Sequence, residues 1–271
     1  MVANDDLYLR KVLDPIRVCA QYKPKFGQGA KGDGLTLQQF QALYQSDPFY
    51  NWFGLDNPLM YAAHKAAGGM TSIYRQIGIG CESLFRTVIR DMLELSASDV
   101  TWSYELPLAN GKKRQLKLDG RIPISQIQDD VKRKRVQDWM EAAAKQVGVA
   151  PEILNGLKGP VFEVRQGYKS KDSKRQNADI ANAAAAYANA YFPCAAILST
   201  QIDGDILLRY RAERWSVITG IVGMNDPLTS TYDFMRDVVG YDFAAFFQRN
   251  SQILRTEIDA VLGALLKPAT T

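Results

Sequence analysis

Val161-Phe162-Glu163-Val164-Arg165-Gln166-Gly167-Tyr168-Lys169-Ser170-Lys171-Asp172-Ser173-Lys174-Arg175-Gln176-Asn177-Ala178-Asp179 opens as a short strand, Val161–Gln166, and closes as a helix start. Successive strand residues point to opposite faces, so Glu163 and Arg165 share one face while Phe162 and Val164 enter a core on the other. A carboxylate and a cation at a strand end are costly to bury unless they are paired or used. The rest of the run sets Arg165, Lys169, Lys171, Lys174 and Arg175 against one acid, Asp172, with Tyr168 interleaved. Lys and Arg neutralise phosphates, helix N-termini favour anions, and Gln176 and Asn177 are of the types that read base edges.

A second carboxylate can reach that strand. From Thr101 the apolar period is two: Trp102, Tyr104, Leu106 and Leu108 alternate with Ser103, Glu105 and Pro107. Asn110-Gly111 is a strong hairpin signal, and the return strand Lys112–Asp119 ends on an acid followed by Gly120. If this strand and Val161–Gln166 are neighbours, Asp119 and Glu163 converge. Two convergent carboxylates form a hard oxygen site suited to Mg²⁺, and a cation beside it can stabilise a phosphorane.

Elsewhere, Leu7–Gln21 is apolar at helical spacing around Pro15, and Leu35–Leu43 reads as a helix. A helix at Pro58–Ala67 is expected to stop at Gly68-Gly69, and a longer one to run from Thr71 to Leu95 with Ile73, Ile77, Cys81, Leu84, Phe85, Val88 and Met92 on one stripe. Glu82 lies at the edge of that stripe. Ser125–Val147 and the Ala-rich Lys174–Phe192 read as helices. Cys194–Thr200, Ile206–Tyr210 and Trp215–Val222 read as strands, and Asp226–Val239 and Phe243–Lys267 as closing helices. This order predicts an α/β or α+β core with helical additions.

The 271 residues are 46% hydrophobic and 23% charged, which excludes disordered and fibrous classes. Apolar runs are too short to span a bilayer, and the acidic N-terminus is unlike a signal peptide, so an intracellular protein is expected. Three scattered cysteines, Cys19, Cys81 and Cys194, argue against a disulfide framework or thiolate zinc site, and the single His64 excludes His-rich metal motifs. The glycine-rich stretch 26–34 does not match a phosphate-cradling loop of the P-loop type. A net charge of +4 is compatible with a polyanionic partner.

Asp119, a long insertion, then Glu163-Val164-Arg165, flanked by Thr71–Leu95 and Lys174–Phe192, resembles the PD-(D/E)XK nuclease superfamily, and within it a type II restriction endonuclease. The resemblance implies an α/β fold with a mixed sheet flanked by helices. It implies one nuclease domain over 1–271, with its core at about 71–222 and helical additions at 1–70 and 223–271. It also implies a Mg²⁺-dependent, sequence-specific endodeoxyribonuclease acting on double-stranded DNA as a homodimer in a prokaryotic cytoplasm. Asp119 and Glu163 become metal ligands, Glu82 an accessory acid, and Arg165 the occupant of the family's lysine position. Lys171, Lys174, Arg175, Gln176 and Asn177 become DNA contacts. Two departures stand out: Leu118 replaces the motif's proline, and Arg165 cannot act as a base because a guanidinium does not deprotonate. Lys169 or Lys171 could serve from the loop instead.

Simpler readings accompany each assignment. Asp119-Gly120 can be a plain turn, Glu163 and Arg165 an ion pair, and Glu82 a partner of Arg86. The run Lys132-Arg133-Lys134-Arg135, among Asp129, Asp130 and Asp138, suits a solvated helix face as well as DNA. The competing functions are a non-catalytic DNA-binding protein on the same fold and a repair or transposition nuclease without sequence preference.

Overall fold

β4 (Pro160–Arg165), buried at every residue but the half-buried Arg165, is a central strand of the sheet. The structure, a computed structural model, describes residues 4–25, 34–107, 113–167 and 182–266. Contacts divide the chain into two units: Met1–Gly80 with Arg249–Thr271, and Cys81–Gln248. The boundary falls inside one helix.

The first unit is helical in its described residues. Its elements are α1 (Asp5–Arg17), a 3-10 turn (Val18–Gln21), α2 (Leu37–Ser46), α3 (Pro48–Trp52) and the start of α4 (Pro58–Met92). Tyr8, Leu9, Val12, Leu13 and Ile16 bury the inner stripe of α1. Leu37, Phe40 and Tyr61 form a second apolar cluster. Thr36 caps α2 in a reciprocal box with Gln39, and Asp47 caps α3 by accepting from the Phe49 amide at 3.0 Å.

The expected stop at Gly68-Gly69 is not there: α4 runs unbroken through both residues. The glycines serve packing instead. A Cβ on Gly69 would lie 2.7 Å from the Leu265 side chain, and one on Gly80 would lie 3.0 Å from the Val12 backbone.

The second unit is mixed α/β. β1 (Trp102–Pro107) and β2 (Lys113–Leu118) pair antiparallel, Trp102 opposite Leu118, as the hairpin reading required; Asn110-Gly111 itself lies outside the described residues. β3 (Gly120–Arg121) continues directly from β2 and starts a four-stranded sheet. Before β4 come α5 (Asp130–Gln146) and α6 (Pro151–Leu154). After it come helix α7 (182–188), β5 (Phe192–Ile197), α8 (Gly204–Ala212) and β6 (Ser216–Ile218). Sheet order is β3-β4-β5-β6; β3 is antiparallel to β4, and the other pairs are parallel.

Helices cover both faces. Phe162 packs on Phe85 of α4 at 5.2 Å and on Phe234 at 5.4 Å, and Trp139 of α5 lies 4.4 Å from Phe234. The opposite face holds Val161, Ala195 and Val217 against Ala183 and Ala186 of α7 and Ile206 and Tyr210 of α8. The small alanines let α7 lie close to the sheet.

Ile206–Tyr210, read as a strand, is part of helix α8. Its buried residues are Ile206 and Tyr210, a helical spacing, and Asp203 caps it by accepting from the Asp205 amide at 2.9 Å. The parallel pairing of β5 and β6 also requires a crossover there. The expected helix Asp226–Val239 shrinks to α9 (Thr231–Asp233), which runs into a π-helical segment, Phe234–Val239, ended by Gly240 at φ +99°. Phe243–Lys267 splits into α10 (Phe243–Arg249) and α11 (Ser251–Leu266), the latter returning to the first unit, where Arg249 pairs with Asp5 at 2.8 Å. Lys267 lies outside the described residues.

Candidate functional site

Asp119 sits where β2 passes into β3, and it is clamped across β4. Its amide donates to the Phe162 carbonyl at 2.8 Å, and its Oδ2 accepts from the Val164 amide at 2.8 Å. Its carbonyl accepts from Arg86 Nη1 of α4 at 2.8 Å. The strands are therefore neighbours, and the acid at the end of one is held beside Glu163 on the other.

Phe162 and Val164 are fully buried on the core side, as alternation required. Glu163 is also buried, at 4% exposure, and its carboxylate is ion-paired with Arg165 two residues on. The same guanidinium lies 3.9 Å from Asp119 Oδ2 and 4.0 Å from Glu82 Oε1. Among the described residues, this cation thus faces three carboxylates, contributed by α4, the β2–β3 junction and β4. Burial makes this arrangement consequential, because an uncompensated buried charge costs several kcal/mol, about 3–5 when one partner of a pair is removed.

Of the expected site residues, Glu82, Asp119, Glu163 and Arg165 come together. Lys169, Lys171, Lys174, Arg175, Gln176 and Asn177 lie outside the described residues. Arg86 is the residue the reading missed in this role. The sequence suggests it only as a partner of Glu82; its place one turn along the same helix is the available signal. The Lys132–Arg135 run is largely committed to protein contacts: Lys132 to Glu94 at 2.6 Å, Lys134 to Asp138 at 2.9 Å, and Arg135 to the Val238 carbonyl at 2.7 Å.

Cys81, adjacent to Glu82 on α4, is buried, and burial pushes its thiol up to about 12. The buried thiol is thus held in its neutral form at ordinary pH.

Among the described residues, no group of three or more His, Cys, Asp or Glu side chains is arranged to enclose a metal ion. The donor chemistry still fits Mg²⁺, which is commonly held by one or two carboxylates with water and phosphate oxygens completing its shell. Asp119 and Glu163 are the pair that would hold it.

No family model matches the chain, and no curated protein and no solved structure matches it. No described helix is long and apolar enough to cross a membrane.

Proposed function

We propose that the protein is a Mg²⁺-dependent endodeoxyribonuclease of the PD-(D/E)XK type, acting on double-stranded DNA as a type II restriction enzyme. The observation that carries this reading is the convergence of Asp119 and Glu163, from adjoining strands of a mixed sheet, on one guanidinium beside an acid from the flanking helix. Bound at Asp119 and Glu163, Mg²⁺ would activate a water and offset charge on the scissile phosphate.

The chain's own residues have distinct tasks in this reading. The Val164 amide and Arg86 hold Asp119 in place, so its carboxylate is oriented before any ligand arrives. Arg165 keeps its charge at every working pH and cannot be the base; it holds the acids together and offers a fork for phosphate. Lys169 is the proposed alternative to Arg165 in the lysine role, and Lys171, Lys174, Arg175, Gln176 and Asn177 are the proposed DNA contacts. A homodimer in a prokaryotic cytoplasm is the setting such an enzyme needs, since two-fold protein symmetry matches a palindromic site.

Arg165 in the lysine position favours one second reading, a DNA-binding protein on the same fold without cleavage. Incubating the purified chain with long unmethylated phage DNA, with Mg²⁺ or with EDTA, separates the two. Discrete fragments only with Mg²⁺ support the restriction enzyme. A Mg²⁺-dependent smear supports a nuclease without sequence preference, and intact DNA of shifted mobility supports the binder.

A further inference from the structure

Two glycines bracket Ser199 just past the carboxyl end of β5. A Cβ on Gly167, beyond the end of β4, would lie 3.3 Å from the Ser199 Cβ and 3.5 Å from its Oγ. A Cβ on Gly220, beyond the end of β6, would run into the Leu198 carbonyl. Neither glycine has a positive φ, so close approach, not backbone conformation, favours glycine at both places.

The same segment adjoins the carboxylate cluster. The Leu198 amide donates to the Arg165 carbonyl at 2.8 Å, and Ser199 is the next residue. The Ser199 carbonyl accepts from the Gly220 amide at 3.3 Å. The exits of three parallel strands are therefore tied together around Ser199, and the carboxyl ends of parallel strands are where open α/β sheets take ligands. Gly167 is two residues from Arg165, about 7 Å of extended chain at most. A backbone phosphate held at the cluster, or the next phosphate along the strand, comes within reach of Ser199.

The hydroxyl is oriented. Ser199 is half-buried, and its Oγ accepts from the Gln201 amide at 3.0 Å. Accepting there fixes the oxygen and leaves the O–H proton to donate. A neutral hydroxyl donor suits a phosphate oxygen, and serine is among the side chains that contact nucleic-acid backbones.

We propose that the Ser199 hydroxyl donates a hydrogen bond to a backbone phosphate of the DNA strand held at Asp119 and Glu163. The proposal rests on the nuclease reading and adds a contact from β5, a strand that reading does not use. Its test is cleavage with Mg²⁺ of a short duplex by wild type and Ser199→Ala, with thermal melts of both. The duplex is then remade with a single sulphur replacing a non-bridging oxygen at, or beside, the mapped cut. Ser199→Ala should keep the wild-type melting temperature and lose about ten- to hundred-fold in kcat/KM. At one of the substituted positions the sulphur should slow wild type several-fold more than Ser199→Ala, because both changes remove the same hydrogen bond. A purely structural role for Ser199 would not produce that non-additivity. Cleavage by Ser199→Ala equal to wild type, or an equal cost of sulphur in both proteins at every position, overturns the contact and leaves the nuclease intact. A wild type that leaves DNA uncut overturns the nuclease reading and the contact with it.

Discussion

The Asp119 carboxylate accepts the backbone amide of Val164 at 2.8 Å, so the acid that ends one strand also completes the hydrogen bonding of its neighbour. Val164 is fully buried. Asp119 thus has a structural task as well as its proposed ligand role, and the two can be separated. Asp119→Asn keeps an acceptor for the amide, whereas Asp119→Ala leaves it unsatisfied. Urea denaturation should show the alanine variant less stable by about 1–3 kcal/mol and the asparagine variant close to wild type. Equal losses in both would mean that charge, not the amide contact, holds the junction.

Arg165 is a counter-charge of the cluster. Arg165→Met leaves Glu163 buried without its partner and should cost about 3–5 kcal/mol. Millimolar Mg²⁺ should then raise the melting temperature of the variant more than that of wild type, because a bound cation replaces the missing charge. A variant that loses stability but gains nothing from Mg²⁺ would make the cluster a structural ion-pair network.

Strand alternation made the Glu163/Arg165 face and the Phe162/Val164 core legible from residue types alone, and the hairpin signal foretold the β1–β2 pairing. Three features were not legible, for tertiary reasons. Ile206–Tyr210 looked like a strand because the run is short and apolar; Asp203 as a cap and Arg209 and Arg211 in the last turn were the overlooked helical signals. Gly68-Gly69 looked like a stop because the side chains that need their small size lie far away in sequence. The grip of Arg86 on the Asp119 carbonyl depends on where α4 lies against the β2–β3 junction, which no local pattern encodes.

The glycines of α4 offer a matched pair of substitutions. A Cβ at Gly78 meets nothing within 4 Å, whereas one at Gly80 meets the Val12 backbone at 3.0 Å. Gly78→Ala should stabilise by up to ~1 kcal/mol through helix propensity. Gly80→Ala should destabilise by about 1–3 kcal/mol, since the backbone cannot move aside cheaply. Thermal melts of the two variants, read together, check the close approach of α1 and α4; stabilisation by both would rule it out.

Cys81 sets an alkaline limit. Burial raises its thiol from an ordinary value of 9.0 to about 12, so the folded state favours the protonated form. The stability linked to that preference is fully present below pH 9 and is lost as pH rises toward 12. Urea midpoints measured from pH 8 to 11 should fall more steeply for wild type than for Cys81→Ala. Parallel slopes would show that the thiol does not titrate on unfolding in this range.

In the proposed nuclease, Asp119 and Glu163 hold the metal used to cut DNA. Its most direct test is cleavage of unmethylated phage DNA by wild type, Asp119→Asn and Glu163→Gln at matched, folded concentrations, each with Mg²⁺ and with EDTA. Wild type should give fragments only with Mg²⁺, and both variants should lose at least a hundred-fold in cleavage with DNA binding retained. Cleavage that survives both substitutions, or wild-type DNA left intact in Mg²⁺, would contradict it.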